Sequence, residues 1–245
     1  MNQSSVKKAF TPTGKLRASI NLGNPLLANR TTETDQPFGI SIDLATELAR
    51  QLDVELDLVV FDAAGKSVNA VESEEADIGF FAIDPKRGEK INFTAPYVLI
   101  TGSYAVRAGS EISELGQVDR KNQTVVVGRG SAYDLYLSRT LENATIIHAP
   151  TSADVVDVFF DGNYDVAAGV TQQLELDKRR HPDLHILDQP FMTIRQAMGL
   201  PKTRGSEAAS FLASFVEELK QTGFVSDAIS RHQVEGAAVA PPEDS

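Results

Sequence analysis

Apolar positions along this chain follow two periods that alternate. Residues 16–21, 56–61 and 77–83 are short apolar or alternating runs bounded by polar residues and turns, which predicts strands. Between them, Leu44, Ala45, Leu48 and Leu52 recur at helical spacing and predict a helix over 43–52. Ser67 is predicted to cap a second helix running to about Glu74, with Val68 and Val71 facing a core. Strand, helix, strand, helix, strand is the rhythm of an α/β unit with a mainly parallel sheet. Residues 91–97 and 104–107 read as two further extended segments.

A second α/β rhythm follows. Strands are predicted at 124–127, 145–148 and 165–170. Helices are predicted at 132–141, at 153–160 with Ser152 as cap, and at 172–180. A last strand, 197–200, precedes a helix over 206–222 with Phe211, Leu212, Phe215, Val216 and Leu219 on one face. Residues 1–13 read as a loose arm, and the Pro- and Ala-rich segment after Glu235 as a disordered tail.

Composition narrows the partners more than the fold. A hydrophobic fraction of 42% and a charged fraction of 23% are those of a globular chain, and 245 residues suffice for one large domain or two lobes. The net charge of −11 repels phosphate backbones, so nucleic acid is not an expected partner. With no cysteine there is no disulfide, thiolate metal site or cysteine nucleophile. The histidines, His148, His181, His185 and His232, lack the spacing of a transition-metal site, and no metal or cofactor is expected. No stretch approaches the ~20 apolar residues that span a bilayer. Residues 1–10 are polar with two lysines and show no secretory leader. The expected compartment is the periplasm if a leader has been removed, with the cytoplasm as the alternative.

Three blocks in fixed order carry a resemblance. They are Gly39-Ile40-Ser41-Ile42-Asp43-Leu44, then Ala76-Asp77-Ile78-Gly79, then an arginine, Arg87, ahead of Ile91-Asn92-Phe93-Thr94-Ala95-Pro96-Tyr97. Val125 to Ser131 and the closing Glu217 to Phe224 fit the same pattern. Over about residues 14–232 the chain resembles the type II periplasmic solute-binding proteins, amino-acid-binding branch, the extracellular solute-binding family 3 of ABC importers. The resemblance implies an α/β fold of two lobes joined by two crossing strands, with a ligand cleft between the lobes that closes by hinge motion. Lobe one would comprise 14–101 and 195–235, lobe two 102–194, with flexible ends 1–13 and 236–245. It further implies a monomer that binds a small carboxylate or amino-acid-like ligand without catalysis and delivers it to an ABC permease. Two alternatives stay open: a dehydratase-like enzyme, and a cytosolic or sensory binding protein with no transporter.

The resemblance assigns Arg87 to the ligand carboxylate, held by a bidentate guanidinium fork; a surface arginine beside Lys86 and Lys90 is the plain alternative. Gly130, Ser131 and Ala132 follow a strand and open a helix, where free backbone N–H groups attract anions; an ordinary serine-capped turn is the alternative. Of Phe80 and Phe81, one is expected to line the site and the other to pack inward, because strand side chains alternate. Ala82 ends that strand, which is about two residues shorter and more apolar than the family's. Asp84 can accept a ligand amine or cap the turn before Pro85. Asn21 and Asn24 end the first strand, as ligand contacts or turn residues. Val170 stands where amino-acid binders carry an aspartate for the ligand ammonium, which turns the expectation towards a carboxylate with neutral or apolar groups. Gln172 is a neutral substitute there or simply a helix-start residue.

Overall fold

The computed structural model describes residues 3–32 and 35–243. The chain divides into two compact units: Met1–Leu99 with Arg195–Ser245, and Ile100–Ile194. Among the described residues no helix is long and apolar enough to cross a membrane.

The first unit contains helices α1 (Gln3–Phe10), α2 (Ile40–Leu52), α3 (Ala64–Glu72), α7 (Gly205–Gln221) and α8 (Phe224–Arg231). Its strands are β1 (Leu16–Asn21), β2 (Leu56–Phe61), β3 (Ile78–Ala82), the first part of β4 (Ile91–Arg107), the last part of β9 (Met192–Pro201) and β10 (Ala238–Val239). The sheet order is β2-β1-β3-β9-β4. β1 pairs parallel with both β2 and β3, so their carboxyl ends lie along one edge. All five residues of β3 are buried, as a strand covered on both faces requires, which explains its unbroken apolar run.

The second unit has sheet order β4-β7-β5-β6, with β5 (Thr124–Gly128), β6 (Thr145–Ala149) and β7 (Val166–Val170), while β8 (Leu184–Ile186) pairs with β4. Helices α4 (Ala132–Thr140), α5 (Val155–Asp161) and α6 (Thr171–Arg180) complete it. Val125 and Val127 pack with Tyr133 and Leu137, whereas Val126 packs with Val155 and Phe159. The alternation of side chains along β5 thus feeds two cores, one on each face.

Five local expectations need correction, the first being Ser152, which does not cap α5: Asp154 stands at the cap position, and Ser152 Oγ accepts from the Tyr133 hydroxyl at 2.9 Å. The extended segments 91–97 and 104–107 are one 17-residue strand, because the residues between them keep partners: Ala238 and Val239 pair with Leu99 and Val98, and Val170 and Gly169 with Gly102 and Ser103. Ser67 does not cap α3, which starts at Ala64; the Ser67 hydroxyl is buried 2.6 Å from that of Ser19 on β1. The loose arm is instead helix α1, whose Val6 and Phe10 are buried, with Phe10 edge-on to Phe211 at 5.8 Å.

The tail beyond Glu235 is likewise placed. β10 lies on β4, the Ala240 N–H donates to the Tyr97 carbonyl, and the buried Lys220 ammonium donates to the Pro96 and Pro241 carbonyls at 3.3 and 2.9 Å. Covering an exposed strand edge favours this pairing whatever the local composition. The expected flexibility of Met1, Asn2, Asp244 and Ser245 falls outside the described residues.

The docking of α1 is testable. Phe10→Ala should lower the unfolding free energy by about 3 kcal/mol, the range for deleting a buried aromatic ring. Denaturant unfolding would measure it, and a change below about 0.5 kcal/mol would mean that the helix contributes nothing to the unit.

Candidate functional site

In the first unit the candidate residues gather at the shared carboxyl edge of β1, β2 and β3, where open α/β sheets place their ligands. Asn21 is the last residue of β1, and its Oδ1 accepts the Gly23 N–H at 2.9 Å. The Asn24 carbonyl accepts the N–H groups of Leu27 and Ala28. Both asparagines therefore shape the turn. Phe81 packs with Val68, Val71, Ala76 and Ile91, which places its ring in the core. Phe80, on the other face of β3, stands edge-on to Tyr97 at 6.3 Å.

Arg87 follows in the turn after β3 and is only 5% exposed, so the surface-arginine alternative fails. Its Nη1 donates to the Ala82 carbonyl at 3.1 Å. Burial pushes the guanidinium pKa down to about 10, against the attraction of Asp84 and Glu72. Asp84 is 4% exposed, and its Oδ1 accepts the Lys86 N–H at 2.9 Å, so it does cap this turn. The same carboxylate acts electrostatically on Arg87. Lys86 and Lys90 are exposed, and Lys90 faces Glu72 at 3.4 Å.

Sequence reasoning passed over Gln196. It is 6% exposed and sits opposite Ala82 in the β3–β9 pairing. The available signal was a glutamine inside an otherwise apolar strand.

In the second unit, β5 and β7 run parallel, which brings the turn after Gly128 and the end of β7 to one edge. A Cβ on Gly128 would lie 2.7 Å from Ser152 Cα and 2.8 Å from the Tyr133 hydroxyl, so only glycine fits there. Gly130 adopts a left-handed φ of 71°. Ser131 caps α4, its Oγ accepting the Asp134 N–H at 3.0 Å. Asp134 reciprocates: its Oδ2 accepts the Gly130 N–H at 2.7 Å, a variant of the capping box. Asp134 Oδ1 also accepts from Ser138 Oγ at 3.1 Å and lies 2.9 Å from His148 Nε2. The N–H groups of Ala132 and Tyr133 precede the first intrahelical bond, from Leu135 to Ser131, and remain the anion-attracting donors of this turn.

Val170 ends β7, and its side chain packs against the core that holds Tyr104 and Val166. The hydroxyls of Thr101, Ser103 and Thr171 form a chain with distances of 2.8 and 2.7 Å. Beside it, Gln172 Oε1 is enclosed and has no hydrogen-bond partner among the described residues. An enclosed acceptor of this kind is a place for a ligand donor. No group of three His, Cys, Asp or Glu placed to hold a metal ion occurs among the described residues.

Comparison with known proteins adds the following. A family model described as bacterial extracellular solute-binding proteins, family 3, matches residues 20–232. A curated relative, membrane-bound lytic murein transglycosylase F of Aliivibrio fischeri, is 27% identical over 203 residues, covering 76% of this chain and 39% of the relative. The chain thus spans well under half the length of that relative. Among solved structures, the solute receptor for L-cysteine of Neisseria gonorrhoeae superposes with a TM-score of 0.79 at 17% identity, covering 94% of each chain. An ArgBP variant from T. maritima gives 0.77 at 20% identity, covering 94% of this chain and 100% of the other. At these identities the likeness carries the fold, the type II periplasmic-binding-protein fold that the resemblance implied.

The burial of Arg87 has a measurable consequence. Arg87→Ala should lower the unfolding free energy by about 2–4 kcal/mol, because it empties buried space and leaves the Ala82 carbonyl without its donor. A loss below about 1 kcal/mol in denaturant unfolding would mean that the side chain is solvated in solution.

Proposed function

The chain belongs to the bacterial extracellular solute-binding proteins, family 3, and from that premise we propose that it binds a small carboxylate or amino-acid-like solute reversibly and without turnover. The observation that carries this reading is the buried guanidinium of Arg87 at the carboxyl edge of the first unit's parallel strands. A buried fork of this kind favours a planar carboxylate through charge-assisted hydrogen bonds. The proposed ligand residues are Asn21, Asn24, Phe80, Ala82, Asp84 and Arg87 in one unit and Gly130, Ser131, Ala132, Val170 and Gln172 in the other. Phe81 is left out because its ring belongs to the core. Delivery to an ABC permease, a periplasmic location and a monomeric state complete the proposal.

A second reading keeps solute binding but removes the transporter. The A. fischeri relative bears the name of a transglycosylase and has most of its length outside the match. That favours a sensing unit attached to, or acting on, another activity. Solute uptake by cells with and without the gene separates the two readings, since a sensor leaves uptake unchanged.

The test of binding itself is a thermal-shift screen of the chain against small acids, amino acids and amines. A true ligand at a hundred times its Kd stabilises by about 2.7 kcal/mol. Arg87→Lys, which keeps the charge but loses the fork, should weaken that ligand by about tenfold or more, roughly 1.4 kcal/mol. If no compound shifts the melting temperature, solute binding fails. If mass spectrometry finds a bound compound converted, the reading without turnover fails.

A further inference from the structure

We propose that His148 is a positioning residue for the Gly130–Ser131 turn: through Asp134 it switches the charge beside the turn's N–H groups, so that the turn takes an anion more tightly in mildly acidic solution. The inference rests on the solute-binding reading and adds regulation to that site.

The ground is a relay of side chains from β6 to the turn. β5 and β6 pair in parallel with His148 opposite Val127 and Ala149 opposite Gly128, so His148 stands beside the end of β5, where the turn begins. Its ring lies on the α4 side of the sheet, the side on which Ile146, two residues earlier, packs with Tyr133 and Leu137. His148 Nε2 is 2.9 Å from Asp134 Oδ1. A carboxylate only accepts, so Nε2 is the donor. The second carboxylate oxygen, Oδ2, accepts the Gly130 N–H at 2.7 Å. Asp134 therefore grips the turn with one oxygen and His148 with the other, and neither contact displaces the other. A backbone tie runs alongside, from the Arg129 N–H to the Ala149 carbonyl at 3.0 Å.

Histidine changes charge between about pH 5 and 8. A neutral ring already donates through Nε2, so the contact persists in both states. The charge balance is what changes. Asp134 opposes an anion at the N–H groups of Ala132 and Tyr133, and a protonated ring beside it offsets that opposition. By linkage, a bound anion favours the protonated ring. Asp134 is buried, whereas the His148 side chain is 33% exposed, so the ring can exchange a proton with solvent while the relay stays closed.

The other titratable or charged groups on the elements packed against β6 have different duties. On α4, the Tyr133 hydroxyl donates to Ser152 and burial pushes its pKa up, while Tyr136 stacks on Phe191. Arg129 in the turn and Arg139 in the last turn of α4 are arginines, a side chain that does not titrate in this range. β5 carries no charged residue. On the other face of the sheet, Asp154 at the cap of α5 accepts from the Thr151 N–H and hydroxyl, and Asp157 on α5 bonds His181 at 2.9 Å. Asp161 closes that helix.

Two measurements on the whole chain test the relay, with His148→Gln as the variant, because a glutamine amide donates to Asp134 but never gains a charge. In the first, NMR follows the Gly130 amide across the range of about pH 5 to 8 in which histidine titrates. The wild-type amide should move with the midpoint of the His148 ring, and the amide of His148→Gln should stay still. In the second, calorimetry compares about pH 6 with about pH 8, using the common L-amino acids other than histidine and cysteine, whose charges are constant over that span. The tightest binder should gain about threefold or more in wild type at the lower pH. His148→Gln should match wild type at the higher pH and gain nothing at the lower. A wild-type affinity independent of pH overturns the inference while leaving solute binding intact, and this arm needs no variant. A variant that keeps the gain overturns it too, as does a Gly130 amide that ignores the His148 titration. No binding at either pH, in wild type and variant, overturns the solute-binding reading and with it the effect on affinity, whatever the amide shows.

Discussion

A guanidinium leaves water only where the protein supplies both hydrogen-bond acceptors and opposite charge, and the candidate site is organised by that constraint at Arg87. β3 is buried along its whole length between β1 and β9; the chain surfaces at Pro85 and Lys86, and the Arg87 side chain then turns back inside. Desolvation is accordingly the largest influence on that side chain. The Ala82 carbonyl accepts from it, and the charges of Asp84 and Glu72 act in its favour. The opposite end of β3 meets the same constraint. There Asp77, wholly enclosed, takes Arg17 in a two-pronged pair at 3.0 and 2.7 Å and Arg204 at 3.1 Å. β3 is thus bracketed by two buried aspartates. Asp77 bonds two arginines and anchors the sheet, whereas Asp84 holds its own turn through the Lys86 N–H.

Much of the fold was legible because burial writes itself into periodicity. The unbroken runs from Ile78 to Ala82 and from Val125 to Val127 could be read directly from apolar spacing. What could not be read depended on partners far away in sequence. Nothing local says that Ser67 will turn inward, since the reason is the Ser19 hydroxyl 48 residues earlier. The arm that became α1 needed Phe211, and the tail that became β10 needed the free edge of β4. Residues 98–103 looked like a break because Thr101, Gly102 and Ser103 are small or polar, yet backbone groups on both sides of the gap had partners.

The candidate site was legible in position and less so in state. The spacing of Arg87 from Phe-Thr-x-Pro-Tyr located it, and the glycine-serine turn before α4 located the second element. Burial of Arg87 was not legible, because the strand covering β3 on one side, β9, lies more than a hundred residues downstream. Asp134 holds the nearby Gly130 and Ser138, and its contact with His148 becomes apparent only when β6 is placed beside β5. The alternation expected of Phe80 and Phe81 does appear, with Phe81 in the core and Phe80 against Tyr97.

These placements also bear on binding versus chemistry. A general acid or base must exchange a proton with its substrate, so its reactive atoms have to be available to it. The acids nearest the candidate elements are engaged otherwise. Asp84 accepts a backbone N–H and acts electrostatically on Arg87, while Asp134 holds a backbone N–H, a serine hydroxyl and His148. Engaged in this way, the two carboxylates are fixed parts of the turns that carry them. Fixed charges that complement a ground state confer selectivity; acceleration would require complementarity that grows towards a transition state. Carboxylates held rigid in this manner fit the solute-binding family to which the chain belongs.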